Sequence, residues 1–203
     1  MTFKQLFTQL PSMKHYFIVT GLVFTVGVYL GYTSPEQFQF ILNAAQERLK
    51  AIVNSVNQAE NRTLALFGSI FLNNVVALCT TIVLGGFFMI LPIYFLLING
   101  ALLGYFAQQF VEKGEIDTFM KGIVPHGVIE IPTICIAAAF GIRFGVLVMK
   151  GLIKLPFASR RQQAGRDLVV FFKQLLPLAV ILIGLLAVAA LIESTISAWL
   201  TAK

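Results

Sequence analysis

Apolar residues along this chain gather into five long runs, and the polar positions between them mark where each run ends. The first run, 16–32, carries Tyr16 and Tyr32 at its two ends, where an interfacial aromatic belt would place them. It is slightly short for a span of about 20 residues, so 10–15 are expected to extend it. The pattern then changes. Ser34-Pro35-Glu36-Gln37 offers an N-cap, a proline at the first helical position and an S-x-x-Q capping box. Phe38, Ile41, Leu42, Ala45, Leu49, Ile52, Val53 and Val56 recur at helical spacing, with Gln46, Glu47, Lys50, Asn54 and Asn57 on the other face. That alternation predicts an amphipathic helix over 34–60, outside the hydrocarbon, lying on the bilayer or packed on the bundle. It also offers a docking surface for another protein.

The second and third runs, 63–91 and 92–110, have no charge between Arg62 and Glu112. Their connection must therefore be short, and an αα-hairpin turning at Gly85-Gly86 and Pro92 fits. The fourth run, 122–149, contains Pro125 and Pro132 and is rich in small residues, including Gly141-x-x-x-Gly145, a spacing that lets helices approach closely. A basic stretch, 150–173, precedes the fifth run, 175–192, and a short tail follows Glu193. The expected fold class is all-α: a polytopic membrane helix bundle of about five transmembrane helices plus an amphipathic extracytoplasmic helix, forming a single membrane domain over 1–203.

Composition supports this picture. The chain is 58% hydrophobic and 12% charged, with mean hydropathy +0.85, whereas soluble domains run about 45–50% apolar and about 25% charged. The net charge of +6 does not point to nucleic acid, because the basic residues sit where apolar runs end and no nucleic-acid motif accompanies them. Lys4 and Lys14, with Lys150, Lys154, Arg160, Arg161, Arg166 and Lys173, outnumber the bases of the alternate loops, Arg48, Lys50, Arg62, Lys113 and Lys121. The expected location is the cell membrane, multi-pass, with the N-terminus cytoplasmic and the C-terminus extracytoplasmic. The first run has no A-x-A end and a helix start follows it, so an uncleaved first helix is expected. Cys79 and Cys135 each lie in an apolar run, form neither a disulfide framework nor a metal spacing, and are expected to be packing residues.

The informative residues are those that hydrocarbon should exclude. Asn73 and Asn74 fall about ten residues into the second run and Asn99 well inside the third. His126 and Glu130 share a helix face by their i, i+4 spacing. Glu193 ends the fifth run, on the same side of the bilayer by the orientation argument. Arg143 is 13 residues from Glu130, about 20 Å along a helix, so it cannot pair with it and is expected near the inner interface, snorkelling or meeting a helix-terminal carbonyl. An ionised group at membrane depth costs at least about 2.5–3.5 kcal/mol, so each needs a partner or water. Three readings stand for an intramembrane polar cluster of Asn73, Asn74, Asn99, His126, Glu130 and Glu193. It is a hydrogen-bond network fixing helix register; or a cation or substrate site beside carbonyls freed by Pro125 and Pro132; or a metal site, with His126, Glu130 and Glu193 as ligands for a divalent ion such as zinc. The pair is His-x-x-x-Glu and the second histidine, His15, belongs to the inner side, which argues against a hydrolytic metalloprotease.

The string Pro125-His126-Gly127-Val128-Ile129-Glu130-Ile131-Pro132, followed by Ala138-Ala139-Phe140-Gly141-Ile142-Arg143-Phe144-Gly145, resembles the stage II sporulation protein M family. So do Phe71-Leu72-Asn73-Asn74, Asn99-Gly100-x-x-x-Gly104 and Ala189-Ala190-Leu191-Ile192-Glu193; the likeness covers 64–195. The family's sporulation member is a polytopic protein of the engulfing membrane that holds a peptidoglycan-degrading complex, its partners being the hydrolases. The resemblance therefore implies a non-enzymatic scaffold of cell-envelope remodelling; no cofactor is expected beyond the divalent metal, such as zinc, that the polar cluster leaves open. Its implied partners are the lipid bilayer and peptidoglycan hydrolases, met through the 34–60 helix and the 112–121 loop. The small-residue face of the fourth run permits a homodimer. Family members also occur outside sporulation, and the alternative is a small-solute or ion permease component with a polar intramembrane site around Glu130.

Overall fold

The computed structural model describes residues 6–8, 10–87 and 89–197; Lys4 and the tail beyond 197 lie outside them. The chain is an all-α polytopic membrane helix bundle, with no strand among the described residues. A 3-10 turn, Leu10–Met13, leads into α1, Lys14–Thr33. A second, Pro35–Phe38, opens α2, Gln39–Gln58. There follow α3, Arg62–Gly85; α4, Ile90–Glu112; α5, Ile116–Lys154; and α6, Ala158–Ile192, which runs into a π-helical turn, Glu193–Ser197. Among the described residues five stretches are long and apolar enough to cross a membrane: Leu10–Thr33, Arg62–Gly85, Ile90–Glu112, Ile116–Lys154 and Arg161–Ile196.

Several boundaries differ from those the pattern predicts. The helix of the second run, α3, ends at Gly85 rather than at 91, because the chain turns at Gly85-Gly86, the first of the two breakers the sequence offers. Pro92 then sits in the first turn of α4, where a missing N–H costs no helical bond. Ser34 makes no side-chain cap; its carbonyl accepts from the Gln37 N–H in the 3-10 turn, so the capping box does not form. The working cap is Asn61, whose side chain accepts from the Leu64 N–H at 3.0 Å and starts α3. The basic stretch 150–173 is not a loop. It is helical apart from a break at 155–157, since Arg, Lys, Gln and Ala sustain a helix. With 39 and 35 residues, α5 and α6 measure about 58 and about 52 Å, well beyond a hydrocarbon core of about 30 Å. Their joined ends therefore project as a basic helical hairpin.

Glycines decide which helices touch. Gly27 and Gly31 of α1 lie against Gly100, Ala101 and Leu97 of α4, and a Cβ on Gly104 would strike the Val28 carbonyl. Gly85 of α3 meets Gly141 of α5, where a Cβ on Gly141 would come within 2.6 Å of the Thr81 carbonyl oxygen. In both pairs residue numbers rise together, so the tightest contacts join parallel helices, not hairpin neighbours. The small face of Gly141 and Gly145, expected to permit a homodimer, is occupied within the single chain by α3. Cys135 joins the packing around Phe24, Leu96 and Ala138, but Cys79 is exposed on the outside of the bundle, contrary to a packing role.

Candidate functional site

The predicted metal-ligating trio converges. His126 and Glu130 stand one turn apart on α5, and the π turn after α6 packs against α5 and α3, carrying Glu193 to the same place. One ligand atom from each of the three lies within 4.8 Å of the other two, and all three side chains are half-buried. His126 Nε2 stands 3.7 Å from Glu193 Oε2, and the imidazole also donates to the Gly122 carbonyl one turn back. Two ionised carboxylates this close would repel by about 3–4 kcal/mol at an effective dielectric of about 20, so the arrangement calls for a shared proton or a cation between them. The backbone adds to the polarity. α5 stays helical through Pro125 and Pro132, and each proline withholds the N–H that would meet the carbonyl of Lys121 or Val128.

Asn74 of α3 hydrogen-bonds the Glu130 carboxylate. Its own Oδ1 accepts from Asn73 Nδ2 at 3.3 Å, and Asn73 Oδ1 accepts from the Arg48 guanidinium of α2. Donors and acceptors alternate correctly along this chain of four side chains, so Glu130 is connected through two asparagines to a cation outside the apolar runs. Arg48 was not among the residues the sequence singled out. It counts there only among the basic residues outside the apolar runs, and its 25-residue separation from Asn73 hides the contact.

Beside the chain lies a cavity of about 500 Å³, bounded by α2, α3, α4 and α5 and lined among others by Arg48, Asn73, Asn74, Tyr94 and Asn99. Asn99 thus shares a cavity with Asn73 and Asn74 but does not join their chain; its amide donates to the Phe95 carbonyl at 2.7 Å. The wall supplied by α2 is anchored by buried Leu42 and Val56 and by a hydrogen bond from Gln46 Nε2 to the Tyr105 hydroxyl at 3.0 Å. The amphipathic helix is therefore packed on the bundle.

At the opposite end Arg143 neither snorkels nor meets a helix-terminal carbonyl. It donates to Gln174 Oε1 at 2.9 Å and to Met13 Sδ at 3.1 Å, with its guanidinium 5.9 Å from the Phe171 ring centre. Gln174 is fully buried, and an isolated polar residue between the basic stretch and the fifth run gave no signal that it would be the acceptor. His15, two residues from Met13, belongs to this end and is remote from His126.

Comparison with known proteins places these residues in context. A family model described as Stage II sporulation protein M matches residues 18–198. The chain is 27% identical over 151 residues to an uncharacterized protein of Methanocaldococcus jannaschii, covering 74% of this chain and 62% of that protein. It thus spans less than two thirds of that relative's length. No solved structure matches.

Proposed function

This chain belongs to the stage II sporulation protein M family, and from that membership we propose that it is a non-enzymatic membrane scaffold that positions cell-envelope hydrolases during peptidoglycan remodelling, as in engulfment. The observation that carries the reading is the stance of α2. Its inner face is held by Leu42, Val56, Arg48 and Gln46, while Phe40 is 89% exposed and Val53 also points away from the bundle. An amphipathic helix fixed to a rigid base with apolar side chains turned outward suits the capture of a partner. The membrane-embedded body supplies contact with lipid, and the segment 112–121 is a second place for a partner to meet. Deleting 34–60 would also remove one wall of the cavity, so the cleaner test is Phe40→Glu with Val53→Glu. We expect envelope hydrolases to co-purify with the wild type and to be lost from the variant at equal abundance in the membrane. Undiminished recovery would overturn the reading.

The cavity favours a second reading, a small-solute or ion permease component. A space of about 500 Å³ with Asn73, Asn74 and Asn99 on its wall is large enough to hold a small polar solute or hydrated ion. Asn99→Leu is then expected to abolish flux into proteoliposomes that wild-type protein supports; absence of flux through the wild type removes this reading.

A further inference from the structure

The cluster of His126, Glu130 and Glu193 differs from the other polar sites of the bundle in the kind of atoms it brings together. At Arg143 a donor meets acceptors, and the site is complete. Here an imidazole nitrogen and two carboxyl groups converge, with no lysine or arginine side chain among them. The imidazole spends a ring N–H on the Gly122 carbonyl and turns Nε2 toward Glu193. At 3.7 Å this nitrogen is too far from Glu193 Oε2 for a direct hydrogen bond. The Glu130 carboxylate is held from behind by Asn74, itself held by Asn73. A ring N–H tied to a backbone carbonyl and a carboxylate oriented by an amide are the supports that metal ligands characteristically receive.

We propose that His126, Glu130 and Glu193 bind one divalent transition-metal ion, and that the ion is zinc. One imidazole nitrogen and two carboxylate oxygens form a borderline donor set that zinc accepts readily, whereas calcium and magnesium prefer oxygen alone. Ligand atoms around tetrahedral zinc lie roughly 3.3 Å apart. The His126–Glu193 pair is already near that, and small rotamer changes close the rest of a trio spread within 4.8 Å. The ion neutralises the two carboxylates and ties the π turn to α5. Through Asn74, Asn73 and Arg48 its occupancy also reaches α2. Three protein ligands leave a coordination position open to water or an incoming group. The inference does not depend on the scaffold reading.

The test uses the full chain, purified in detergent with a tag that carries no histidines, and equilibrated with zinc or with magnesium alone. The expected result is one zinc per chain by elemental analysis, a raised melting temperature with zinc and none with magnesium. Cobalt should give visible absorption bands that zinc displaces. His126→Ala and Glu193→Gln should each weaken zinc binding by roughly a hundredfold or more, beyond the roughly 10–100-fold expected for Asn74→Ala, which removes only a support. Cys79→Ser with Cys135→Ser should bind as the wild type does. Wild-type protein that takes up neither zinc nor cobalt overturns the proposal without reference to any variant. So does zinc retained in the triple variant of all three residues, or zinc lost with the two cysteines.

Discussion

Arg143 shows what one charged residue requires inside a bundle. A guanidinium at membrane depth costs at least about 2.5–3.5 kcal/mol unless its donors are met, and here a fully buried glutamine, a thioether and an aromatic ring meet them. Gln174→Leu leaves the charge without its main acceptor and is expected to destabilise the protein by about 1.5–3 kcal/mol. Adding Arg143→Met should recover part of that loss, because the two side chains act as a unit. Unfolding in mixed micelles of the two single variants and the double would measure the coupling; strictly additive losses would contradict it. At the other end the asparagine chain makes a similar demand. Asn73→Leu cuts the link between Arg48 and Glu130 at a cost near the roughly 0.6 kcal/mol average of such bonds in membranes. That is small for the bundle but concentrated on α2, so hydrogen exchange over 39–58 should quicken while α3 and α5 keep their protection. Unchanged exchange in α2 would show that Leu42, Val56 and the Gln46–Tyr105 hydrogen bond hold it without Arg48.

Among the elements, backbone proximity at glycine sets the architecture. α1 seats on α4 and α3 on α5 because no Cβ intervenes at Gly27, Gly100, Gly85 and Gly141. Glycines of identical sequence character can carry opposite consequences. Gly141→Val forces side-chain atoms onto the Thr81 carbonyl and Pro92, and is expected to cost about 1–3 kcal/mol or more as overpacking. Gly68 in α3 has open space around it, so Gly68→Ala should be neutral or stabilise by about 0.5–1 kcal/mol through helix propensity. The same unfolding assay reads both, and equal effects would deny that α3 and α5 pack through glycine. The prolines of α5 fit the same scale: they leave the helix continuous yet spare carbonyls next to His126 and Glu130, where polarity is gathered.

Across the whole molecule, charge is sorted by end. Of nine acidic residues, only Asp167 belongs to the hairpin end, where Lys14, Lys150, Lys154, Arg161, Arg166 and Lys173 gather; Glu130, Glu193 and the remaining acids lie toward the other. Lys154 and Asp167 approach to 3.8 Å across the hairpin, leaving its basic excess nearly intact. From the positive-inside rule we propose that this hairpin faces the cytoplasm, with the N-terminus inside and, after five crossings, the C-terminus outside. A periplasm-active phosphatase fused after residue 203 should then be active, and one inserted at 155–157 inactive; the reverse pattern would invert the orientation and turn α2 toward the cytoplasm.

Much of the fold is legible in one dimension because a helix buries a periodic face and lipid demands long apolar runs. The five runs, the amphipathic segment and the i, i+4 pairing of His126 with Glu130 follow from that periodicity alone. Only tertiary structure decided that Glu193 completes the trio, that Arg48 reaches Glu130 through two asparagines, that Gln174 receives Arg143, and that the Gly141 face is spent inside the chain. Each of these is a contact between residues 25 or more positions apart or on separate helices, set by how helices rotate about their axes and how closely their backbones approach. Local spacing encodes a helix's face; it does not encode which other helix that face will meet.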